Sequence, residues 1–171
     1  MKGLSEASRR MLLVGAGETG LSLLRSLSGS WQISVLDVDP QRAPVLQALG
    51  RSSLTVEFAA KDGSSLLNLR EAGIERADFV VALTDRDEVN LEISRLALSQ
   101  NPPPQVLVAV GSESAQAQAK ALGAEPILRP QAIAGMLVNV IERGVRVPAG
   151  IGLGRGEVIE IQVLPSSPVV Q

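Results

Sequence analysis

Met11-Leu12-Leu13-Val14-Gly15-Ala16-Gly17-Glu18-Thr19-Gly20 decides the fold: an apolar run breaks into glycines and resumes as an amphipathic stretch through Leu21, Leu24 and Leu27. This reads as strand, tight turn, helix. The glycines follow G-x-G-x-x-G spacing. Gly15 makes the turn, Gly17 lets the backbone approach a pyrophosphate, and Gly20 lets the helix pack close against its strand. A phosphate would rest on the helix N-terminus, where free N–H groups and the helix dipole favour negative charge. Taken alone, the spacing also fits any tight strand-to-helix turn.

The next stretch narrows that choice. Trp31-Gln32-Ile33-Ser34-Val35-Leu36 reads as a second strand with Trp31, Ile33 and Val35 on one face, and it ends at Asp37, 17 positions beyond Gly20. A carboxylate in that place accepts hydrogen bonds from a ribose hydroxyl. The plainer reading of Asp37 is a loop or cap residue ahead of Pro40.

Downstream, strands and helices alternate. Residues 41–49 form a short helix carrying Val45, Leu46 and Leu49, stopped by Gly50. A third strand spans 53–58, and a helix spans 63–73 through Leu66, Leu67 and Leu69, with Asp62 and Ser64 at its start as cap or binding residues. Residues 77–83 are almost continuously apolar, as in a central parallel strand buried on both faces, and end at Thr84-Asp85. A helix over 86–99 repeats Val89, Ile93, Leu96 and Ala97 at helical spacing. Asn101-Pro102-Pro103-Pro104 ends it. Strand 105–110, helix 112–122 and strand 125–128 complete the series. Short connections between alternating elements imply a doubly wound α/β domain, a six-stranded parallel sheet with helices on both faces. Ligands bind such sheets beyond the carboxyl ends of the strands. The residues Gly15 to Gly20, Asp37, Asp62 and Thr84-Asp85 all follow strand ends and should converge on one crevice.

The two ends of the chain read differently. Residues 1–9 look like a disordered lead. Residues 130–144 are helical, but Ile133, Met136, Leu137, Val138, Val140 and Ile141 spread apolar surface beyond one stripe, so the helix needs a cover. A partner subunit is preferred over burial within the domain, because little chain remains to supply one. Residues 146–155, with Pro148, Gly150, Gly152 and Gly154, read as a linker. Residues 156–171 alternate like a strand and resemble the opening of a truncated further domain or an extra strand.

Composition removes whole classes of function. With 16 basic and 18 acidic residues and only one Trp and two Phe, the chain lacks the basic and aromatic surface of a nucleic-acid reader. No apolar run approaches the roughly 18 residues that span a bilayer, and the N-terminus lacks a signal-peptide core. The expectation is a soluble, cytoplasmic molecule, or one that docks to something. No Cys, His or Tyr is present, which removes thiolate chemistry, the usual zinc ligands and the commonest general acid–base group, and argues against catalysis.

These stretches resemble the N-terminal RCK domain, the regulator-of-potassium-conductance module of Trk and Ktr uptake systems and of many gated potassium channels. The resemblance rests on the glycine loop, Asp37, Lys61-Asp62-Gly63-Ser64, Leu69-Arg70-Glu71-Ala72-Gly73-Ile74-Glu75-Arg76-Ala77-Asp78, and Val80-Val81-Ala82-Leu83-Thr84-Asp85-Arg86-Asp87-Glu88-Val89-Asn90-Leu91. It covers residues 10–145. It implies a Rossmann-like nucleotide-binding regulatory subunit and no enzyme. Such domains dimerise, assemble into rings on the cytoplasmic face of a potassium channel or transporter, and change shape as NAD, NADH, ATP or ADP exchange.

Carried onto this chain, the resemblance has Gly15, Ala16, Gly17, Glu18, Thr19 and Gly20 cradling phosphates and Asp37 holding the adenosine ribose, with Asp39 beside it. Asp62 and Gly63 would lie beside the adenine, and Thr84 and Asp85 would face the far half of the ligand. Val38, Lys61 and Leu83 complete the candidate set; no catalytic or metal-binding residue is assigned. The family commonly has Gly-Asp-Ala where this chain has Lys61-Asp62-Gly63, and an arginine often found in the fifth strand is missing from Val106-Leu107-Val108-Ala109-Val110. Fewer charge partners for a triphosphate favour NAD or NADH over ATP or ADP. Asp37 would repel the 2′-phosphate of NADP.

Two other readings share these features. An NAD-dependent oxidoreductase would use the same binding motif, but would need a substrate domain and a proton donor. A purely structural dimerisation module would need only the apolar helix at 130–144.

Overall fold

The computed structural model describes residues 8–143. Six strands form one parallel sheet in the order β3-β2-β1-β4-β5-β6. They are β1 Arg9–Val14, β2 Trp31–Asp37, β3 Leu54–Ala60, β4 Phe79–Ala82, β5 Gln105–Val110 and β6 Glu125–Leu128. The helices are α1 Glu18–Ser26, α2 Ala43–Leu49, α3 Leu66–Glu71, α4 Asp87–Leu98, α5 Glu113–Leu122 and α6 Arg129–Arg143. The chain starts in the middle of the sheet, builds outward to β3, then crosses back to β4 beside β1. The strand order therefore reverses between β1 and β4, which opens a crevice at their carboxyl ends.

The alternation within β1 explains why the sheet is covered twice. Met11 and Leu13 face one side, where they meet Leu21 and Leu24 of α1, Leu46 of α2, and Trp31, Ile33 and Val35. Leu12 and Val14 face the other, against Leu69, Ile74, Ile93, Leu96, Val106, Val108, Ala115 and Ala119. With a side-chain period of two, an unbroken apolar run gives each face its own core. Val80 and Val81 in β4 divide in the same way.

The expected doubly wound fold is what forms, with three local corrections. The strand of the glycine motif begins at Arg9, inside the expected lead: its N–H donates to Ser30 O at 3.1 Å and its guanidinium lies 4.3 Å from the centre of the Trp31 ring. Residues 1–7 of that lead lie outside the described residues. The helix expected at 41–49 opens as a 3₁₀ turn, Pro40–Arg42. The helix expected from Gly63 starts only at Leu66, because Asp62 Oδ1 accepts hydrogen bonds from the N–H and the hydroxyl of Ser64, both at 2.8 Å, and holds that stretch in a turn. The linker at 146–155 and the trailing strand at 156–171 lie outside the described residues.

Helix α6 follows β6 directly and is exposed from Pro130 to Glu142. Its large apolar residues Ile133, Met136, Leu137, Val138, Val140 and Ile141 are between 45% and 78% exposed. The domain's own described residues do not cover it.

Candidate functional site

The crevice at the switch point has a volume of about 590 Å³, within the range of small-molecule pockets. Its first wall is the β1–α1 turn. Gly15 has φ +98°, and a Cβ there would lie 2.7 Å from the carbonyl carbon of Leu83. The turn and the chain leaving β4 therefore approach backbone to backbone. Gly20 sits below, where a Cβ would come within 2.4 Å of Gly15 O. Gly17 caps α1, and the space a side chain would take there is open to 4 Å.

Asp37 is fastened to that turn. Its Oδ2 accepts the Ala16 N–H at 2.6 Å and its Oδ1 accepts the Asp39 N–H at 2.9 Å. The carboxylate is thus held at the mouth of the crevice, with lone pairs left for a further donor. Of the candidate residues, Gly15, Gly17, Glu18, Thr19, Asp37, Val38, Lys61, Asp62, Gly63, Leu83, Thr84 and Asp85 line one cavity. Ala16 is buried behind it, Gly20 packs beneath it, and Asp39 turns away to accept the Gln41 N–H at 2.9 Å and pair with Arg42 at 3.4 Å.

The floor under β3 depends on close approach. A Cβ at Gly63 would lie 2.2 Å from Val14 Cγ1, so only glycine fits there. Asp62 beside it carries the two Ser64 hydrogen bonds, which hold its carboxyl below the ordinary carboxylate value, with the nearby Arg86 charge adding to the effect. Lys61 is paired with Glu71 of α3.

The second wall is knitted from side chains. Asn90 on α4 is fully buried. Its Oδ1 accepts the Thr84 N–H at 3.0 Å and the Thr84 hydroxyl at 2.6 Å, while its Nδ2 donates to Thr84 O and Ala109 O, both at 2.9 Å. Every hydrogen-bonding position of the amide is used. Asp87, one turn earlier, accepts the Gly111 N–H at 2.8 Å. Arg129, at the start of α6, donates to Thr84 O at 3.2 Å and to Asp87 Oδ1 at 3.0 Å.

Sequence reading missed Asn90 and, of the basic lining, Arg42, Arg86 and Arg129. Asn90 and Ser94 fall at i and i+4 on the stripe that also carries Ile93 and Ala97, and two polar residues on a buried stripe are a readable sign of a hydrogen-bonded network. Arg129 follows the end of β6, the same kind of position as Gly15, Asp37 and Thr84. Arg42, Lys61, Arg86 and Arg129 all line the crevice. They share that lining with Glu18, Asp37, Asp62 and Asp85, and Arg42, Lys61 and Arg129 are also paired with Asp39, Glu71 and Asp87. The lining thus offers both charge signs together with hydroxyl groups, and the chain contains no histidine or cysteine.

Comparison with known proteins places this chain in a family. The chain is 30% identical over 167 residues to a Trk system potassium uptake protein TrkA homolog of Archaeoglobus fulgidus, covering 92% of this chain and 36% of the relative. It is 29% identical to the Trk system potassium uptake protein TrkA of Azorhizobium caulinodans, covering 95% of this chain and again 36% of the relative. The chain therefore spans about a third of the length of these curated relatives. Among solved structures, the TrkA-N domain of inner membrane protein ybaL from Escherichia coli superposes with a TM-score of 0.66 at 20% identity, covering 80% of this chain and 99% of that one. GsuK bound to ADP superposes with a TM-score of 0.61 at 19% identity, covering 80% and 35%. At those identities the likeness establishes the fold. Residues 11–130 match the family model of the TrkA-N domain, and the chain belongs to the TrkA-N family.

Proposed function

We propose that this domain is the nucleotide-sensing part of a regulatory subunit that gates potassium transport through a membrane channel or transporter, and that it is not an enzyme. The observation that carries the reading is Asp37: the glycine turn that would receive phosphates also positions, through Ala16 N–H, the carboxylate that would receive a ribose. Phosphate and sugar sites are built as one unit. The ligand is an adenine nucleotide, either NAD or NADH, or ATP or ADP. Gly15 to Gly20 hold its phosphates, Asp37 and Val38 its ribose, Lys61, Asp62 and Gly63 its adenine edge, and Leu83, Thr84 and Asp85 its far half. Asp39 acts at one remove, by fixing the turn after β2. The basic lining gives a triphosphate and a dinucleotide comparable reception, so neither is preferred on charge.

Association goes through α6. Its exposed apolar residues are the surface on which a second copy packs, and pairs of this kind build a ring on the cytoplasmic face of the membrane partner. Ligand binding then shifts an equilibrium between two dimer arrangements, which requires that it bind one of them better. The relatives named as potassium uptake proteins support the transport assignment.

Calorimetric titration with NAD, NADH, ATP and ADP at fixed salt, run beside light scattering, tests the reading. Binding of at least one nucleotide by a dimer or larger assembly is the expected result. Silence toward all four would leave only an assembly module, and steady turnover of NADH with a small carbonyl compound would mean an oxidoreductase.

A further inference from the structure

Helix α6 and the crevice meet at one side chain. Among the described residues, the side-chain hydrogen bonds joining α6 to the rest of the domain are the two made by Arg129, to Thr84 O and Asp87 Oδ1. From Pro130 onward the helix is exposed. Arg129 is also part of the crevice lining, beside Thr84, Asp85 and Arg86. The same guanidinium therefore faces the space for a ligand and anchors the surface for association.

The anchor is of a kind that a ligand can displace. The Arg129 side chain is 38% exposed and that of Asp87 21%, and ion pairs open to solvent to this extent are weak. A terminal phosphate offers two negative charges and several acceptor oxygens against the single charge of Asp87. Asp87 does not depend on Arg129 for its place, because Gly111 N–H donates to both its oxygens, at 2.8 and 3.0 Å. Exchange of partners by Arg129 leaves Asp87 seated and removes the ion pair between α6 and α4.

We propose that Arg129 is a ligand-selective pin: it ties α6 to Thr84 and Asp87, and a bound nucleotide ending in a phosphate draws it off Asp87. A ligand whose far half is an uncharged riboside leaves the pin in place. This rests on the nucleotide-binding reading above and adds to it a residue that converts the chemistry of the ligand's far end into the position of α6.

The chain has no cysteine, so Lys120→Cys on α5 and Asn139→Cys on α6, both exposed, create a unique pair for spin labels. The full chain, diluted into unlabelled chain so that distances within one copy dominate, is measured empty, with ATP and with NADH, while calorimetry follows binding of both. The expected result is a shifted 120–139 distance with ATP and none with NADH. Arg129→Gln should abolish the shift and weaken ATP about tenfold more than NADH, the loss of one charge-assisted contact. Asp87→Asn, outside the crevice lining, should show the shifted distance without ligand. Equal shifts with ATP and NADH, or an ATP shift that survives Arg129→Gln, overturn the pin while leaving nucleotide binding intact. Absence of any binding overturns both.

Discussion

On the β1–α1 side of the crevice the chain meets itself through its backbone, whereas on the β4–α4 side the joining is done by side chains. Gly15, Gly20 and Gly63 let main chain and sheet approach so closely that a single added carbon would collide. Across from them, Thr84 is held by Asn90 and Arg129 at its N–H, its hydroxyl and its carbonyl. The first wall is rigid because nothing else fits. The second is held by hydrogen bonds that use every position of the Asn90 amide, and it can be rearranged by a competing donor or acceptor.

Breaking the first wall should cost most. Gly15→Ala places a Cβ against Leu83 at a positive φ, and we expect about 4 kcal/mol of lost stability, from strain and overpacking together, read by urea unfolding. Asn90→Ala should cost about 2–3 kcal/mol, since it strands the Thr84 N–H and the Ala109 carbonyl in a buried place. Hydrogen exchange at the Thr84 amide should rise in that variant, and Gly15 should stay protected. If both walls loosen together, the distinction between them is wrong.

Asp37→Ala sharpens the comparison from the ligand side. It should weaken nucleotide binding at least tenfold, about 1.4 kcal/mol, by calorimetry. Its stability cost should be smaller than that of Asn90→Ala, because the mouth of the crevice is open to water. The smallest effect belongs to Asp62. Its folded-state carboxyl lies below the ordinary value of 3.8, so its contribution is present above that value and lost as pH falls through the folded one. The stability difference between the native chain and Asp62→Asn should therefore be flat above about pH 5 and close in acid, with the Asp62 carboxyl followed by NMR titration.

The same contrast explains what could be read in advance. Glycine spacing, the Asp37 interval and the apolar run of β4 are local patterns, and each announces a backbone requirement that holds whatever lies nearby. Hence the sheet, the crevice and most of its lining were legible. Arg42, Arg86 and Arg129 were not, because an arginine is ordinary until the strand order brings the segments after β2, β4 and β6 to one place. Noting the arginine missing from β5 did not find them for that reason. The late start of α3 was missed because Asp62 competes for the Ser64 N–H, a contest that helical periodicity does not register.

Helix α6 has 15 residues, near the length at which an isolated helix in water is marginal even for alanine-rich sequences. It contains Gly135 and the β-branched residues Ile133, Val138, Val140 and Ile141, all poorer helix formers than alanine. Whatever surface covers it therefore supplies part of its helicity as well as its burial. If that surface is a second copy, as proposed, coiling and association are one equilibrium, and dilution should lower the helical signal in circular dichroism before any strand is lost.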